Sequence, residues 1–180
     1  YLIIARLREA HPDVPVLALT ASATGRGVDD IRERLKCRVN GVIRSDFSRP
    51  NLLFMVRRTD DKKGQLLSVL SNVPGSCIVY IRTREGAELL ARELLEEGIE
   101  AQYYHAGLPH SERGMRQNDW TEGRKRVMVA TTAFGMGIDK PDVRFVVHYD
   151  IPNSLEEYYQ EAGRAGRAGK RSYAVLLAGA

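Results

Sequence analysis

The chain has 180 residues, of which 43% are hydrophobic and 28% charged, a length that predicts one domain or one domain with part of another. Its 27 Lys and Arg residues outnumber its 23 Asp and Glu residues, and the formal charge of +4 permits a nucleic-acid partner without requiring one. No apolar run is long enough to span a bilayer and the first residues do not form a signal peptide, so we expect a cytoplasmic protein that binds no membrane.

The two cysteines, Cys37 and Cys77, both lie within apolar runs. This placement indicates reduced, buried thiols rather than a disulfide or a zinc site. The four histidines form no ligand cluster with them, so no metal site is predicted.

The first part of the chain predicts a short α/β segment. Residues 1–11 form an amphipathic helix that ends before Pro12, and Val14–Leu19 reads as a short buried strand. The small hydroxyl residues that follow either face a ligand or, at Thr24, cap a helix over residues 28–35, and the cap is favoured. Because the first residue is Tyr inside a helical pattern, we expect a fragment of a longer protein.

The segment from Arg38 to Arg57 indicates a bend between two domains. Pro50 forces Arg49 out of helical geometry, which favours an extended connection there. We therefore predict one domain over residues 1–46 and a second over residues 47–180.

Strands and helices alternate from Leu52 onward. The predicted strands cover residues 53–56, 77–81, 101–104, 127–130, 145–149 and 173–177. The predicted helices cover residues 62–70, 84–97, 111–122 and 155–162. The strands are continuous apolar runs, which is typical of a parallel sheet covered by helices on both faces. The pattern therefore predicts a doubly wound α/β fold.

Arg164 and Arg167 are the most distinctive pair of side chains. On a helix they would share a face, and on a glycine-rich loop they could still converge on one anion. The alternative is a solvated basic helix end. A functional role is favoured because the loop over residues 131–139, with its glycines and Asp139, is predicted at the same edge of the sheet.

The parts needed for turnover are missing from the sequence. It contains no phosphate-binding loop of the form G-x-x-x-x-G-K-[ST], no Asp-Glu dipeptide, and no spacing that suggests a Ser/His/Asp or Cys/His arrangement. The chain is therefore interpreted as the half of an enzyme that supplies arginines to a site completed elsewhere.

Several motifs resemble those of the RecQ family of superfamily 2 DNA helicases. Gln160-Glu-Ala-Gly-Arg-Ala-Gly-Arg167 resembles motif VI, and residues 129–141 resemble motif V in its RecQ form. Four more segments, in the order of the family, are similar to motif III, the inter-lobe linker, motif IV and the block after it: residues 19–24, 47–52, 78–84 and 104–108.

The resemblance implies a RecA-like fold, with residues 1–46 as the C-terminal remnant of the first lobe and residues 47–180 as the second lobe. It implies an ATP-dependent 3′ to 5′ helicase of DNA recombination and repair that acts on single-stranded and forked DNA. ATP and Mg²⁺ would be the cofactors, with the metal ligands outside this chain, and the first lobe of the same protein would be the partner.

The resemblance also assigns site residues, with Arg167 as the arginine finger and Arg164 beside it. The catalytic set is Arg167, Arg164 and Gln160. The cofactor-binding set, in which Asp139 reaches the ribose, is Gly137, Asp139 and Gly163. The DNA-binding set is Thr83, Arg84 and Thr131. The set that couples nucleotide to DNA is Thr20 and Ser22.

Three residues depart from the family pattern, namely Ala168 for the usual Asp, Arg82 for a small polar residue and Ser22 for Thr. The departure at position 168 could loosen the positioning of the arginines. We expect the isolated chain to lack ATPase activity and to bind DNA weakly. Two alternatives stay open, the second lobe of an RNA helicase of the DEAD-box kind and a non-catalytic nucleic-acid-binding module, besides a plain α/β domain with surface arginines.

Overall fold

The computed structural model describes residues 2–20, 24–37, 41–44, 48–135 and 138–179. The chain forms two compact units, Tyr1–Ser48 and Arg49–Ala180. The assignment of the first unit to the end of a first RecA-like lobe stays a prediction.

The described residues of the first unit contain two helices, α1 over Leu2–Ala10 and α2 over Gly25–Arg34. Thr24 is the N-cap of α2, since its hydroxyl oxygen accepts a hydrogen bond from Gly27 N at 3.2 Å, which confirms the favoured interpretation of that residue.

The predicted strand over Val14–Leu19 is wrong. None of these residues pairs with another strand in the described part of the chain, and Leu17 and Leu19 are 80% and 84% exposed. An apolar run becomes a strand only where a neighbouring strand takes its N–H and C=O groups.

The second unit is built on a six-stranded sheet in which every neighbouring pair is parallel. The strands, in chain order, are β1 Leu52–Arg58, β2 Ser76–Tyr80, β3 Ala101–Tyr104, β4 Val127–Ala130, β5 Val143–His148 and β6 Ser172–Ala178. Their order across the sheet is β1-β6-β5-β2-β4-β3. This arrangement confirms the predicted parallel α/β sheet.

In the described part of the second unit, four helices accompany the sheet: α3 Lys62–Asn72, α4 Arg84–Glu96, α5 His110–Thr121 and α6 Leu155–Ala162. The side chains of Asp61, Thr83 and Ser154 cap three of their N-termini. Gly98 follows α4 with φ at 77°, the left-handed conformation that glycine adopts without strain, and ends the helix. None of the helices in the described ranges is long and apolar enough to cross a membrane.

The core lies on both faces of the sheet. Val127 and Val129 of β4 join a cluster with Leu66 of α3 and Leu90 of α4. The other face carries a second cluster of buried side chains from the sheet, α5, α6 and the chain after β4: Met128, Ala130, Trp120, Ala162, Phe134 and Ile138. Side chains alternate between the faces along each strand, so a strand buried on both faces reads as a continuous apolar run.

The connection between β4 and β5, residues 131–142, determines where the site lies. Parallel strands usually need a helical crossover, yet no helix occurs among the described residues of this connection. It leaves the carboxyl end of β4 and returns to the amino end of β5, with Phe134 and Ile138 buried against the sheet. We call it the β4–β5 connection.

Candidate functional site

The segment after α6, Gly163–Lys170, carries both arginines and is here called the arginine loop. Helix α6 ends at Gly163, where a Cβ would lie 3.0 Å from Tyr159 O. Gly166 and Gly169 then adopt φ of 73° and 74°, so the chain turns instead of continuing as a helix. The arginines therefore lie on a loop, the second of the two geometries that the sequence left open.

Arg164 is anchored on the β4–β5 connection. Its Nη1 donates to Gly135 O at 2.6 Å, and the hydroxyl of Tyr80, at the end of β2, donates to the neighbouring oxygen Phe134 O at 2.9 Å. Burial raises the pKa of Tyr80, and the adjacent Arg164 guanidinium opposes that shift. The two side chains thus fix consecutive peptide groups of the connection from two different elements.

Arg167 contacts the same connection further along the chain. Its Nη1 lies 3.2 Å from Ile138 O and 3.0 Å from Asp139 Oδ1. The side chains of Arg167 and Asp139 are 38% and 84% exposed, so water screens their ion pair and it contributes little to stability. A guanidinium has five N–H donors, so Arg167 keeps donors for an incoming anion.

The arginine loop lies at the amino ends of the strands. Gly166 N donates to Val143 O at 2.9 Å and Ala168 N donates to Pro141 O at 3.1 Å, both at the start of β5. The expectation that the loop over residues 131–139 lies at this same edge is only half right. The connection begins at the carboxyl edge with Thr131 and meets Arg164 soon afterwards, at Gly135, beside the oxygen that Tyr80 binds at the carboxyl end of β2. It then crosses the face of the sheet and meets Arg167 closer to the amino end of β5.

The carboxyl edge brings together the other polar residues singled out in the sequence. Thr83 and Arg84 follow β2 and are exposed, while Thr131 follows β4, and β2 and β4 end in register at Tyr80 and Ala130. Thr83 Oγ1 accepts from Gly86 N at 3.0 Å, so these residues form the N-terminus of α4. A helix N-terminus with an adjacent arginine favours anions such as phosphate.

Residues 61–169 match the family model described as the helicase conserved C-terminal domain. The chain belongs to this family. The predicted resemblance to RecQ helicases is also confirmed. The domain is 44% identical, over 98% of the chain, to the RecQ-like DNA helicase blm-1 of Caenorhabditis elegans, and 41% identical, again over 98%, to the ATP-dependent DNA helicase hus2/rqh1 of Schizosaccharomyces pombe.

The chain spans only 18% and 14% of the length of those two relatives. Among solved structures, the helicase domain is similar to the Escherichia coli DEAD-box protein SrmB, solved bound to the regulator of ribonuclease activity RraA. The TM-score is 0.62 and the identity 33%, over 76% of this chain and 79% of that chain. This likeness confirms the RecA-like fold.

Three further predicted site residues, Gln160, Gly163 and Thr20, lie in the described ranges. Gln160 is exposed in the last turn of α6, and Gly163 is the C-cap of that helix. Thr20 is exposed in the first unit. Ser22 and Gly137 lie outside the described residues. The roles of all these residues stay predictions.

The structure describes the contacts of two of the residues that depart from the family pattern, Arg82 and Ala168. Arg82 is held at the end of β5, where its main-chain N donates to Asp150 Oδ2 at 3.0 Å and its Nε donates to Ile151 O at 3.2 Å. At position 168 only the main chain is engaged, through the bond from Ala168 N to Pro141 O. A methyl group makes no hydrogen bond, so residue 168 helps to hold the arginine loop only through its main chain.

The structure contains a buried polar pair, His148 and Glu161, that the sequence did not predict. His148 Nε2 lies 3.0 Å from Glu161 Oε2, and His148 is fully buried between the rings of Tyr80 and Tyr158, at centroid distances of 5.7 and 4.8 Å. Neither residue follows a catalytic spacing. A histidine within an apolar strand was the only available signal, and it indicates a satisfied core histidine as readily as a functional one.

Proposed function

We propose that this chain supplies the second motor lobe of an ATP-dependent DNA helicase that moves 3′ to 5′ and serves recombination and repair. The observation that carries the proposal is the set of contacts made along the β4–β5 connection. The connection binds Arg164 at Gly135 O and Arg167 at Ile138 O, and it starts with Thr131 at the carboxyl edge of the sheet, the edge at which α4 also begins.

The arginine loop suits the phosphates of ATP. Arg164 Nε is buried and without a partner in the described part of the chain, and most donors of Arg167 are uncommitted. Bound ATP with Mg²⁺ supplies a γ-phosphoryl group that is transferred to water. Arg167, as the arginine finger, and Arg164 would stabilise the negative charge that develops on its oxygens. Asp139 would bind the ribose, and Gln160, Gly137 and Gly163 would complete the nucleotide site.

The carboxyl edge would hold the DNA. Thr83, Arg84 and Thr131 would contact the phosphate backbone of single-stranded or forked DNA, and such contacts carry little sequence preference. The β4–β5 connection, together with Thr20 and Ser22, would couple this edge to the nucleotide. The sequence contains no phosphate-binding loop, so the isolated chain would not hydrolyse ATP, and the first lobe of the same protein would provide the rest of the site.

The test is DNA-stimulated ATP hydrolysis by the full-length protein that carries this chain, with Arg167→Ala compared with Arg92→Ala. Arg92 is exposed on α4, away from the arginine loop. We expect Arg167→Ala to lower turnover by on the order of 10³ while ATP still binds, and Arg92→Ala to leave turnover unchanged. Unchanged turnover in Arg167→Ala would contradict the proposal and favour a non-catalytic nucleic-acid-binding module.

The likeness to a DEAD-box protein favours a second candidate, an RNA helicase lobe. The two candidates differ in the strand that activates the motor. We expect single-stranded DNA to stimulate hydrolysis more than RNA of the same sequence. Equal or stronger stimulation by RNA would replace the DNA helicase with this second candidate.

A further inference from the structure

Two side chains at the start of the second unit, those of Arg49 and Asn51, donate hydrogen bonds to the main chain of the arginine loop. Asn51 Nδ2 donates to Gly166 O at 2.7 Å and to Lys170 O at 3.1 Å. Arg49 Nη2 donates to Ala165 O at 3.0 Å. All three acceptors belong to the loop between or just beyond the two arginines, so two side chains from one short segment hold its carbonyl groups.

The fit between Asn51 and Gly166 is close. Gly166 has a positive φ of 73°, and a Cβ there would lie 2.7 Å from Asn51 Nδ2. The amide of Asn51 thus occupies the side of the loop that a glycine leaves open. A primary amide has two N–H donors on one nitrogen, which matches the two carbonyl oxygens that Asn51 binds.

The main chain of Asn51 serves a different purpose. Its carbonyl oxygen accepts from Ser172 N at 2.8 Å, which starts the parallel pairing of β1 with β6 along seven residue pairs, from Leu52 with Ser172 to Arg58 with Ala178. The strand pairing uses no side-chain atom of Asn51. Its side chain can therefore be altered while the pairing of β1 with β6 remains.

We infer that Asn51 and Arg49 are positioning residues, which fix the arginine loop so that Arg164 and Arg167 face the nucleotide. The inference rests on the proposed function. A loop with two left-handed glycines has little conformational preference of its own, and without these bonds the carbonyl groups of Ala165, Gly166 and Lys170 would turn to water. Displacement of a catalytic group by about 1 Å lowers a rate by on the order of a hundredfold.

The test uses Asn51→Asp in the full-length protein. Aspartate keeps the shape of the side chain but replaces both N–H donors with an oxygen that repels the two carbonyls. We expect kcat for DNA-stimulated ATP hydrolysis to fall by roughly tenfold or more, with KM for ATP and the unfolding temperature nearly unchanged. The matched control is Asn72→Asp, because Asn72 Nδ2 also donates to a carbonyl oxygen, Ser68 O at 2.7 Å, on α3.

Arg49→Met is the second variant, which tests the bond to Ala165 O should Asn51→Asp fail to fold. The double variant Asn51→Asp with Arg167→Ala distinguishes an effect of Asn51 that acts through the arginines from an effect that is independent of them. If Asn51 acts through the arginines, Asn51→Asp slows the Arg167→Ala protein by a smaller factor than it slows the parent protein, because only Arg164 is left to be misplaced.

The outcomes separate this inference from the proposed function. If Arg167→Ala slows turnover but both Asn51→Asp and Arg49→Met leave kcat within about twofold, the positioning role is overturned and the helicase proposal stands. The role is also overturned if the effects of Asn51→Asp and Arg167→Ala multiply, or if kcat falls only in proportion to a loss of folded protein. If Arg167→Ala itself has no effect, the helicase proposal fails first.

Discussion

The guanidinium of Arg164 occupies the space beside Gly135 that a side chain at that position would need. A Cβ on Gly135 would lie 3.0 Å from Arg164 Cζ and closer still to Nη2. The same guanidinium donates to Gly135 O at 2.6 Å, so residue 135 both admits and binds the arginine. The loop after α6 and the β4–β5 connection are complementary at this point.

Gly135→Ala should destabilise the chain by about 1–3 kcal/mol, because the guanidinium must leave a close-packed contact. Gly114→Ala is the control with the opposite sign. Gly114 is exposed within α5 with no atom near its Cβ position, so alanine should stabilise the helix by about 0.5–1 kcal/mol. Urea unfolding followed by circular dichroism measures both. Equal stability of Gly135→Ala and the parent chain would contradict the contact.

Tyr80→Phe removes one hydroxyl and leaves Phe134 O without its donor. We expect the free energy of unfolding to fall by about 1–2 kcal/mol, since a buried carbonyl is left unpaired. Tyr159→Phe is the control, because Tyr159 is 56% exposed and the same change there should cost under about 0.5 kcal/mol. Similar urea midpoints for the two variants would show that the Tyr80 bond contributes nothing measurable.

Thr83→Asp and Thr83→Asn separate helix capping from DNA binding in the full-length protein. Both residues cap a helix as well as threonine does, so α4 should keep its stability in each. The aspartate adds a negative charge where a phosphate is proposed to lie, and it should weaken binding of single-stranded DNA severalfold relative to the asparagine, more at low salt. Fluorescence anisotropy at two salt concentrations measures this. Equal affinities would remove Thr83 from the DNA site.

The two thiols should differ in reactivity. Burial raises the pKa of the Cys77 thiol well above its usual value, and Arg126 opposes this shift, whereas Cys37 is only partly buried. With a thiol reagent at pH 8 the native chain should react at Cys37 and release a second equivalent only on unfolding. Rapid reaction of both thiols in the native chain would mean that the second unit opens locally.

The elements of the second unit were largely predictable from the sequence. A strand buried on both faces is a continuous apolar run, and each helix begins at a capping residue or ends near a glycine, so these boundaries lie within two residues of the observed ones. The run at Val14–Leu19 gave the same signal but forms no strand, because pairing depends on a neighbour and not on the run itself.

The site was predictable only in part. Motif spelling singled out Arg164, Arg167 and Asp139, which the structure brings to one connection. It included Asn51 only as part of the linker motif and could not indicate the contact with Gly166, which joins residues 115 positions apart and has no local periodicity. Nor could it show that the β4–β5 connection crosses the sheet, since apolar residues such as Phe134 predict burial but not direction.

The position of β1 in the sheet has a consequence for synthesis of the protein. Strand β1 is the first strand of the second unit to be made, and among the described strands it pairs only with β6, the last of them. Pairings between residues so distant in sequence form slowly, and until they form the backbone of β1 is open on both sides. During translation the sheet therefore stays incomplete until β6 has left the ribosome. The hydrogen bonds from Asn51 to the arginine loop would then be among the last contacts to form. A nascent chain would therefore acquire its arginine site only once the whole domain had emerged.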